Sequence, residues 1–574
     1  MQVQQAVAAN PALLAVGRAT RLAVPPLLFV AAFLVVMSHP FVRAEEFIHR
    51  GDDAYYYFKV AANFPDAGRW TFDTIHSTNG VQPLWAIILT SLAQVLKWFG
   101  ISEPNTLARV FVALTALLHF GSCIVLYHLL ARKVSVGTAL TAAGAFLFPL
   151  GIVWARVWGM ENSLYALLLL TTIAYFHLRI LERSTVRRAV LLGVLLGLTA
   201  LARLNAMLFI PCLLGYFILA GPRPEMMERA RLAFVAGVAA AILVLPYFLA
   251  NFVSTGHLLP ISSAAKVIGT EHFLRQNGVE SRLSAEYAWL LVQEFAGPVR
   301  WFITSRASDA LWVIGGRLWW EGIPPLATFV AVMGALVLGP LALGRAREWL
   351  RFLADRFGRL APFGYVLVFG ALDATISVFQ FPLQLKYAMI KWWLVENEIA
   401  VVVISATLVV ACISYVGSRL LSSPARAAVA LTALTLLVGL HVRQAAQFYF
   451  DDEVQLRDWN ASWNDDSYLA AQWLATNTPK DARIGSWNAG VLGYYSDRRV
   501  INLDGLINNF SLLPYLQGDD IGGYIRLEHI TYLSDLDPMF KLHRLNERMK
   551  LTEVYRRRDT LTGEDYRIYR VDER

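Results

Sequence analysis

Apolar stretches and short polar segments alternate along most of the chain. A helix needs about 20 apolar residues to cross a hydrocarbon core, and shorter runs lie at the interface or re-enter it. On that measure the pattern predicts about eleven crossings. They are Ala23–Phe41, Leu107–Leu130, Val134–Val153, Leu164–Leu181, Ala189–Leu204, Ala206–Ala220, Leu232–Phe252, Leu326–Leu343, Leu360–Val378, Ile399–Val416 and Ala427–Val442. The first contains Pro25 and Pro26 and no clear small-residue cleavage site, so it reads as a crossing and not as a leader. The run Leu84–Phe99 is too short to cross and ends on Lys97 and Trp98, which predicts an interfacial helix. From Arg443 the pattern changes to turn signals and short alternations. There Ser467–Ala475 predicts a helix, Ala482–Trp487 and Arg499–Leu503 predict strands, and Tyr524–Leu533 a further helix or strand. The expected architecture is an α-helical polytopic membrane domain over 1–442, followed by a small α/β domain over 443–574.

Composition removes the main alternative, a row of soluble domains. Hydrophobic residues make up 56% of the 574 and charged residues only 16%, against roughly 25% charged in a typical soluble protein. Lys and Arg outnumber Asp and Glu by 51 to 43, for a net charge of +8. These bases form short clusters between apolar stretches and no single patch, so no nucleic-acid partner is expected. The clusters encode orientation instead. Arg18 and Arg21 put the N-terminus in the cytoplasm, and Arg132–Lys133, Arg179–Arg188, Arg223–Arg231, Arg345–Arg359 and Arg419–Arg426 follow on the same side, provided that Leu84–Phe99 does not cross. The first loop 42–106, the segments 154–162, 253–325 and 379–398, and the C-terminal domain then face the extracytoplasmic side of a plasma (inner) membrane. Cys123, Cys212 and Cys412 all lie in apolar stretches, which argues against a disulfide framework or a cysteine-based zinc site.

The candidate chemistry begins in the first loop. Asp52 and Asp53 are adjacent carboxylates a few residues beyond a crossing, where ionised groups are costly. Such a pair can supply a general base, because burial and a like-charged neighbour raise a carboxyl pKa. It can also hold a divalent cation such as Mg or Mn, or cap a helix over Ala54–Asn63. The stretch Trp70–Trp85, with His76, Asn79 and Gln82, mixes aromatics with amides and hydroxyls. That mixture suits a sugar site, although a belt of interfacial aromatics would account for its Trp and Tyr.

The Asp52–Asp53–Ala54–Tyr55–Tyr56–Tyr57 run and Thr78–Asn79–Gly80–Val81–Gln82–Pro83–Leu84–Trp85 resemble the GT-C superfamily of integral-membrane glycosyltransferases. Trp158–Gly159–Met160–Glu161–Asn162, Leu201–Ala202–Arg203 and Gly256–Ser262 leading to Lys266 are similar to it too. The resemblance implies a polyprenyl-phosphate sugar donor, a glycan or lipid acceptor, surrounding membrane lipids, and an acidic residue of the first loop acting at the acceptor hydroxyl. Asp52 and Asp53 are the implied acids, with Tyr56, His76, Asn79, Gln82 and Glu161 as implied substrate-binding residues. The chain has Gln82–Pro83 where the lipid-A aminoarabinose branch has Lys-Pro-Pro. Lys391–Trp392–Trp393–Leu394 lacks the Asp that follows Trp-Trp in oligosaccharyltransferases. Transfer to asparagine is thereby disfavoured.

A departing lipid phosphate gathers negative charge and needs fixed cations near the outer surface. Arg203, in a very short turn, and Lys266, Lys386 and Lys391 are the candidates, with snorkelling to the interface as the plainer role of the lysines. Asp373 lies within a predicted crossing and points the other way. An intramembrane carboxylate suits a transporter or lipid flippase, or bonds a neighbouring helix. A non-catalytic scaffold is a third reading. Asn502–Leu503–Asp504–Gly505 and Asp497–Arg498–Arg499 read as a strand end with a turn.

Overall fold

The computed structural model describes residues 52–147, 159–290, 325–338, 340–341, 346–380, 395–420, 459–558 and 563–572. Among them, 4 helices are long and apolar enough to cross a membrane: Pro104–Lys133, Asn162–Ile180, Arg223–Thr255 and Val395–Arg419. The bent pair Ala346–Gly358 and Ala361–Ser377 makes up to 5. The expected crossings Ala23–Phe41 and Ala427–Val442 lie outside the described residues. Ala189–Leu204 and Ala206–Ala220 appear as helices too short to span alone, Val186–Ala202 and Leu204–Leu219. The chain is thus a helical membrane protein with a C-terminal α/β domain.

The elements that build the site are α1 (Asp52–Ala67), α2 (Pro83–Trp98), α3 (Pro104–Lys133), α4 (Asn162–Tyr175), α5 (Val186–Ala202), α6 (Met226–Thr255) and α7 (Ile261–Gln276). Further on come α8 (Gly364–Gln380) and α9 (Val395–Leu420). α1 begins at Asp52, so both aspartates lie in its first turn and neither precedes an Ala54–Asn63 helix as a cap. α3 starts sharply because Glu103 accepts from the amides of Asn105 and Thr106, with Pro104 in the first helical position. α5 and α6 pack closely. A methyl at Gly193 would fall 2.2 Å from the Ala236 carbonyl oxygen, so only glycine allows that backbone approach.

The C-terminal domain opens with α10 (Trp459–Asn477) and carries β1 (Arg483–Ser486), α11 (Gly490–Tyr495), β2 (Arg499–Asn502), β3 (Tyr532–Leu536), β4 (Leu551–Arg558) and β5 (Asp565–Val571). The strands form one sheet in the order β2-β1-β3-β5-β4. β1 pairs in parallel with β2 and β3, and β5 runs antiparallel to β3 and β4. The expected strands are therefore present, and Tyr524–Leu533 splits into a helix over Ile521–Leu527 and the start of β3. One apolar cluster joins Tyr55 and Phe58 of α1, Phe111 of α3 and Val491, Leu492 and Tyr494 of α11. The first loop, the membrane helices and the C-terminal domain thus share a core.

Candidate active site

On an α-helix, residues i and i+4 share a face. Asp52 and Tyr56 share one face of α1 and grip the C-terminal domain. Asp52 is 6% exposed and accepts from the amides of Gly490 (3.1 Å) and Val491 (2.7 Å) at the start of α11. The Tyr56 hydroxyl donates to the Trp487 carbonyl (3.3 Å) and accepts from the Ala489 amide (3.2 Å). Burial pushes the Asp52 carboxyl up to about 7, against the amide bonds that favour its ionised form. Asp52 does cap a helix, but one that lies far away in the sequence.

Asp53 and Tyr57 share the next face, which points elsewhere. Asp53 is half-buried, and its strongest electrostatic neighbours are Lys266 and Glu161. Burial raises its carboxyl, and Lys266 offsets part of that rise. The Tyr57 hydroxyl accepts from the Gln82 amide (3.1 Å) and bonds the Glu161 side chain. Glu161 is 4% exposed, and its Oε2 has no hydrogen-bond partner among the described residues.

Lys266 reaches this group from α7, whose first turn is tied to the first loop. Asn79 accepts from the Ile261 amide (3.0 Å) and donates to Asn251 (3.2 Å), so it positions the helix. Burial lowers the Lys266 ammonium, while Asp53, Glu161 and Asp504 hold it up. Asp504 comes from the turn after β2. Its Oδ1 accepts from the Leu506 amide (2.7 Å), and burial pushes its carboxyl up to about 8, with Asp53 and Asp52 adding to the rise.

Arg203 marks a break. It ends α5 in an extended conformation before the short 3-10 turn Leu204–Leu208, and Gln82 Oε1 accepts from the Leu204 amide (3.1 Å) to hold that break. The guanidinium is 5% exposed, donates to Asn162 Oδ1 (3.2 Å) and lies 5.7 Å from the Tyr165 ring centre. Tyr165 donates to Glu396 Oε2 (3.1 Å), and Glu396 and Asn205 bond the buried Asp373. The intramembrane carboxylate that pointed to a transporter is therefore part of the setting of Arg203. Lys266 also feels Arg203, which makes the two charge groups neighbours.

The structure does not bring His76 to this group. Its ring nitrogens face Asp73 (2.7 Å) and Glu528 (3.2 Å), which makes it a bridge from the first loop to the C-terminal domain. Lys386 and Lys391 lie outside the described residues. The pair Asp52 and Asp53 does not fit a divalent cation, since the Asp52 oxygens are taken by amides and its neighbour faces another way. Among the described residues no three His, Cys, Asp or Glu side chains converge to hold a metal ion.

Asp504 is the residue that reading the sequence as a turn passed over. The available signal was an acidic residue just beyond the carboxyl end of a parallel strand, the edge where α/β sheets place ligands. The amides of Gly490 and Val491 carried no signal at all.

Residues 453–569 match a family described as a domain of unknown function (DUF8728). No protein of curated function matches the chain by sequence. Among solved structures, ArnT from Cupriavidus metallidurans bound to undecaprenyl phosphate is similar over 95% of this chain and 97% of its own, with a TM-score of 0.53 and 14% identity. The oligosaccharyltransferase AglB from Archaeoglobus fulgidus, in complex with an inhibitory peptide and a dolichol-phosphate, is similar over 95% of this chain and 74% of its own, with a TM-score of 0.51 and 15% identity. At such identities the likeness establishes the fold, and it is the GT-C fold that the first-loop motifs resemble.

Proposed function

We propose that the chain is a membrane glycosyltransferase. It moves a sugar from a polyprenyl-phosphate donor to a glycan or lipid acceptor on the extracytoplasmic side of the plasma membrane, with inversion at the anomeric carbon. The observation that carries this reading is the division of labour between adjacent aspartates: Asp52 is consumed by backbone amides, while Asp53 faces a buried lysine and glutamate. Two neighbours of the same fold, titled as bound to undecaprenyl phosphate and to a dolichol-phosphate, support the donor class.

In the proposed step Asp53 takes the proton of the acceptor hydroxyl. The freed oxygen attacks the anomeric carbon from the face opposite the phosphate. The carbon–oxygen bond to phosphate breaks and its electron pair leaves with the polyprenyl phosphate. A base raised by burial and trimmed by Lys266 suits proton transfer near neutral pH. Lys266 and Arg203 stand on the leaving-group side, where Arg203 can offer two parallel donors to phosphate oxygens. Purified protein is incubated with polyprenyl-phosphate sugars of different headgroups and scored for release of polyprenyl phosphate. Release that depends on Asp53 and survives at Asp52→Asn supports the assignment. A panel in which no donor turns over, or in which Asp53→Asn is as active as wild type, overturns it.

A further inference from the structure

The geometry points to a substrate role for Asp504: together with Asp53 it holds neighbouring hydroxyls of the acceptor, which makes the acceptor a sugar bearing a diol. This rests on the proposed reaction and narrows its acceptor.

The placement comes from backbone. Gly505 has φ +83°, a conformation that a side chain would strain, and a methyl there would fall 2.7 Å from Ala265 Cβ. The turn that carries Asp504 is therefore pressed against the helix of Lys266, one residue from the lysine itself. Gly80 makes the matching approach on the other flank, where a methyl would fall 1.9 Å from the Leu506 carbonyl oxygen. Between these two contacts Asp504 is fixed within electrostatic reach of Asp53, Asp52 and Lys266.

The hydrogen-bonding balance says what would fit. Asp504 spends Oδ1 on the Leu506 amide and is partly exposed. Glu161 adds a buried Oε2 with no partner among the described residues, beside Asp53 and Lys266. Acceptor oxygens thus crowd this side of the cleft. A phosphate would be repelled there and belongs nearer Arg203. A ligand that brings several O–H donors would satisfy the oxygens, and neighbouring sugar hydroxyls do so with the spacing that two carboxylates can share.

The test uses the full-length protein in lipid nanodiscs. It is titrated with octyl glycosides carrying an intact diol, with the matching monodeoxy glycosides, and separately with undecaprenyl phosphate. Asp504→Asn keeps the Asx turn to Leu506, and Asp504→Ala serves as the second variant. The wild type should bind the diol about tenfold more tightly than the deoxy compound, the scale of a hydrogen bond to a charged group. Both variants should lose that preference with undecaprenyl phosphate affinity unchanged. A preference that survives in both variants overturns the proposal. So does a parallel loss of undecaprenyl phosphate affinity, which would mean that Asp504 acts only by positioning Lys266. Asp53→Asn retaining full polyprenyl phosphate release would sink the base assignment alone, and the diol preference of Asp504→Asn still decides the role of Asp504.

Discussion

Two regions lie within a few residues of each other on α1 and differ in how their polar groups are satisfied. Along the seam with the C-terminal domain, Asp52 holds two amides, Tyr56 bonds on both sides, and His76 is flanked by two carboxylates. In the cleft, Glu161 keeps a buried oxygen without a partner among the described residues, and half-buried Asp53 is surrounded by charge. A seam whose groups are all used can only hold the domains together. A cleft with acceptors to spare is ready for a ligand, and the difference assigns structure to one aspartate and chemistry to the next.

The largest expected effect separates these two neighbours. Asp53→Asn should lower polyprenyl phosphate release by about 100-fold or more, the usual scale for losing a general base. Its thermal unfolding should match the wild type. Asp52→Asn should show the opposite pattern, with reduced stability and turnover kept in the fraction that stays folded. If the two variants proved indistinguishable in both measurements, the contrast between seam and cleft would collapse.

Next comes the leaving-group side. Arg203→Ala should weaken undecaprenyl phosphate binding about 10- to 100-fold, the range of a charge-assisted hydrogen bond. Arg203→Lys should restore only part, because a point charge cannot give the forked contact. Unchanged binding in Arg203→Ala would confine the arginine to its partnership with Asn162 and the Asp373–Glu396 group.

A smaller effect probes the seam by shape. A methyl at Gly490 would come within 2.1 Å of the Asp52 carbonyl oxygen, so Gly490→Ala should cost about 1–3 kcal/mol of stability through strain. Thermal unfolding followed by tryptophan fluorescence measures it. Gly215→Ala, where the space is open, should be close to neutral and calibrates the comparison.

The smallest effect is a pH dependence. The bond to Asp73 holds the His76 imidazolium above the ordinary histidine range, with Glu528 adding to it. The folded state therefore binds this proton more tightly than the unfolded chain. Its stabilisation is fully present below about pH 6.5 and is lost as the pH rises through the higher folded value. Limited proteolysis of the C-terminal domain should accelerate over that rise in the wild type, and His76→Ala should flatten this part of the profile. Parallel profiles would remove His76 from the seam.

What the sequence revealed followed the range of the forces involved. Hydropathy is local, so the helices Pro104–Lys133, Asn162–Ile180 and Val395–Arg419 could be read from their own residues. Asp53, Glu161, Arg203 and Lys266 were legible because charge near apolar segments is conspicuous. The role of Asp52 was not, because its partners are backbone amides, which every residue possesses and no composition betrays. His76 misled for a related reason: an aromatic, polar neighbourhood looks the same whether it faces a ligand or a carboxylate. Asp504 hid in a turn whose local purpose, the Asx bond to Leu506, was sufficient by itself.

The bond from Asp52 to Gly490 spans 438 positions. At a synthesis rate of about 5–20 residues per second, that separation is roughly 20–90 s of translation. During that interval the first loop has emerged, but the amides that hold it do not yet exist. A ribosome that stalls within the membrane domain releases a chain with an open, misaligned cleft and no means of consuming the lipid-linked sugar. Completion of the polypeptide is thereby the event that switches the chemistry on, and an aborted product is inert by construction.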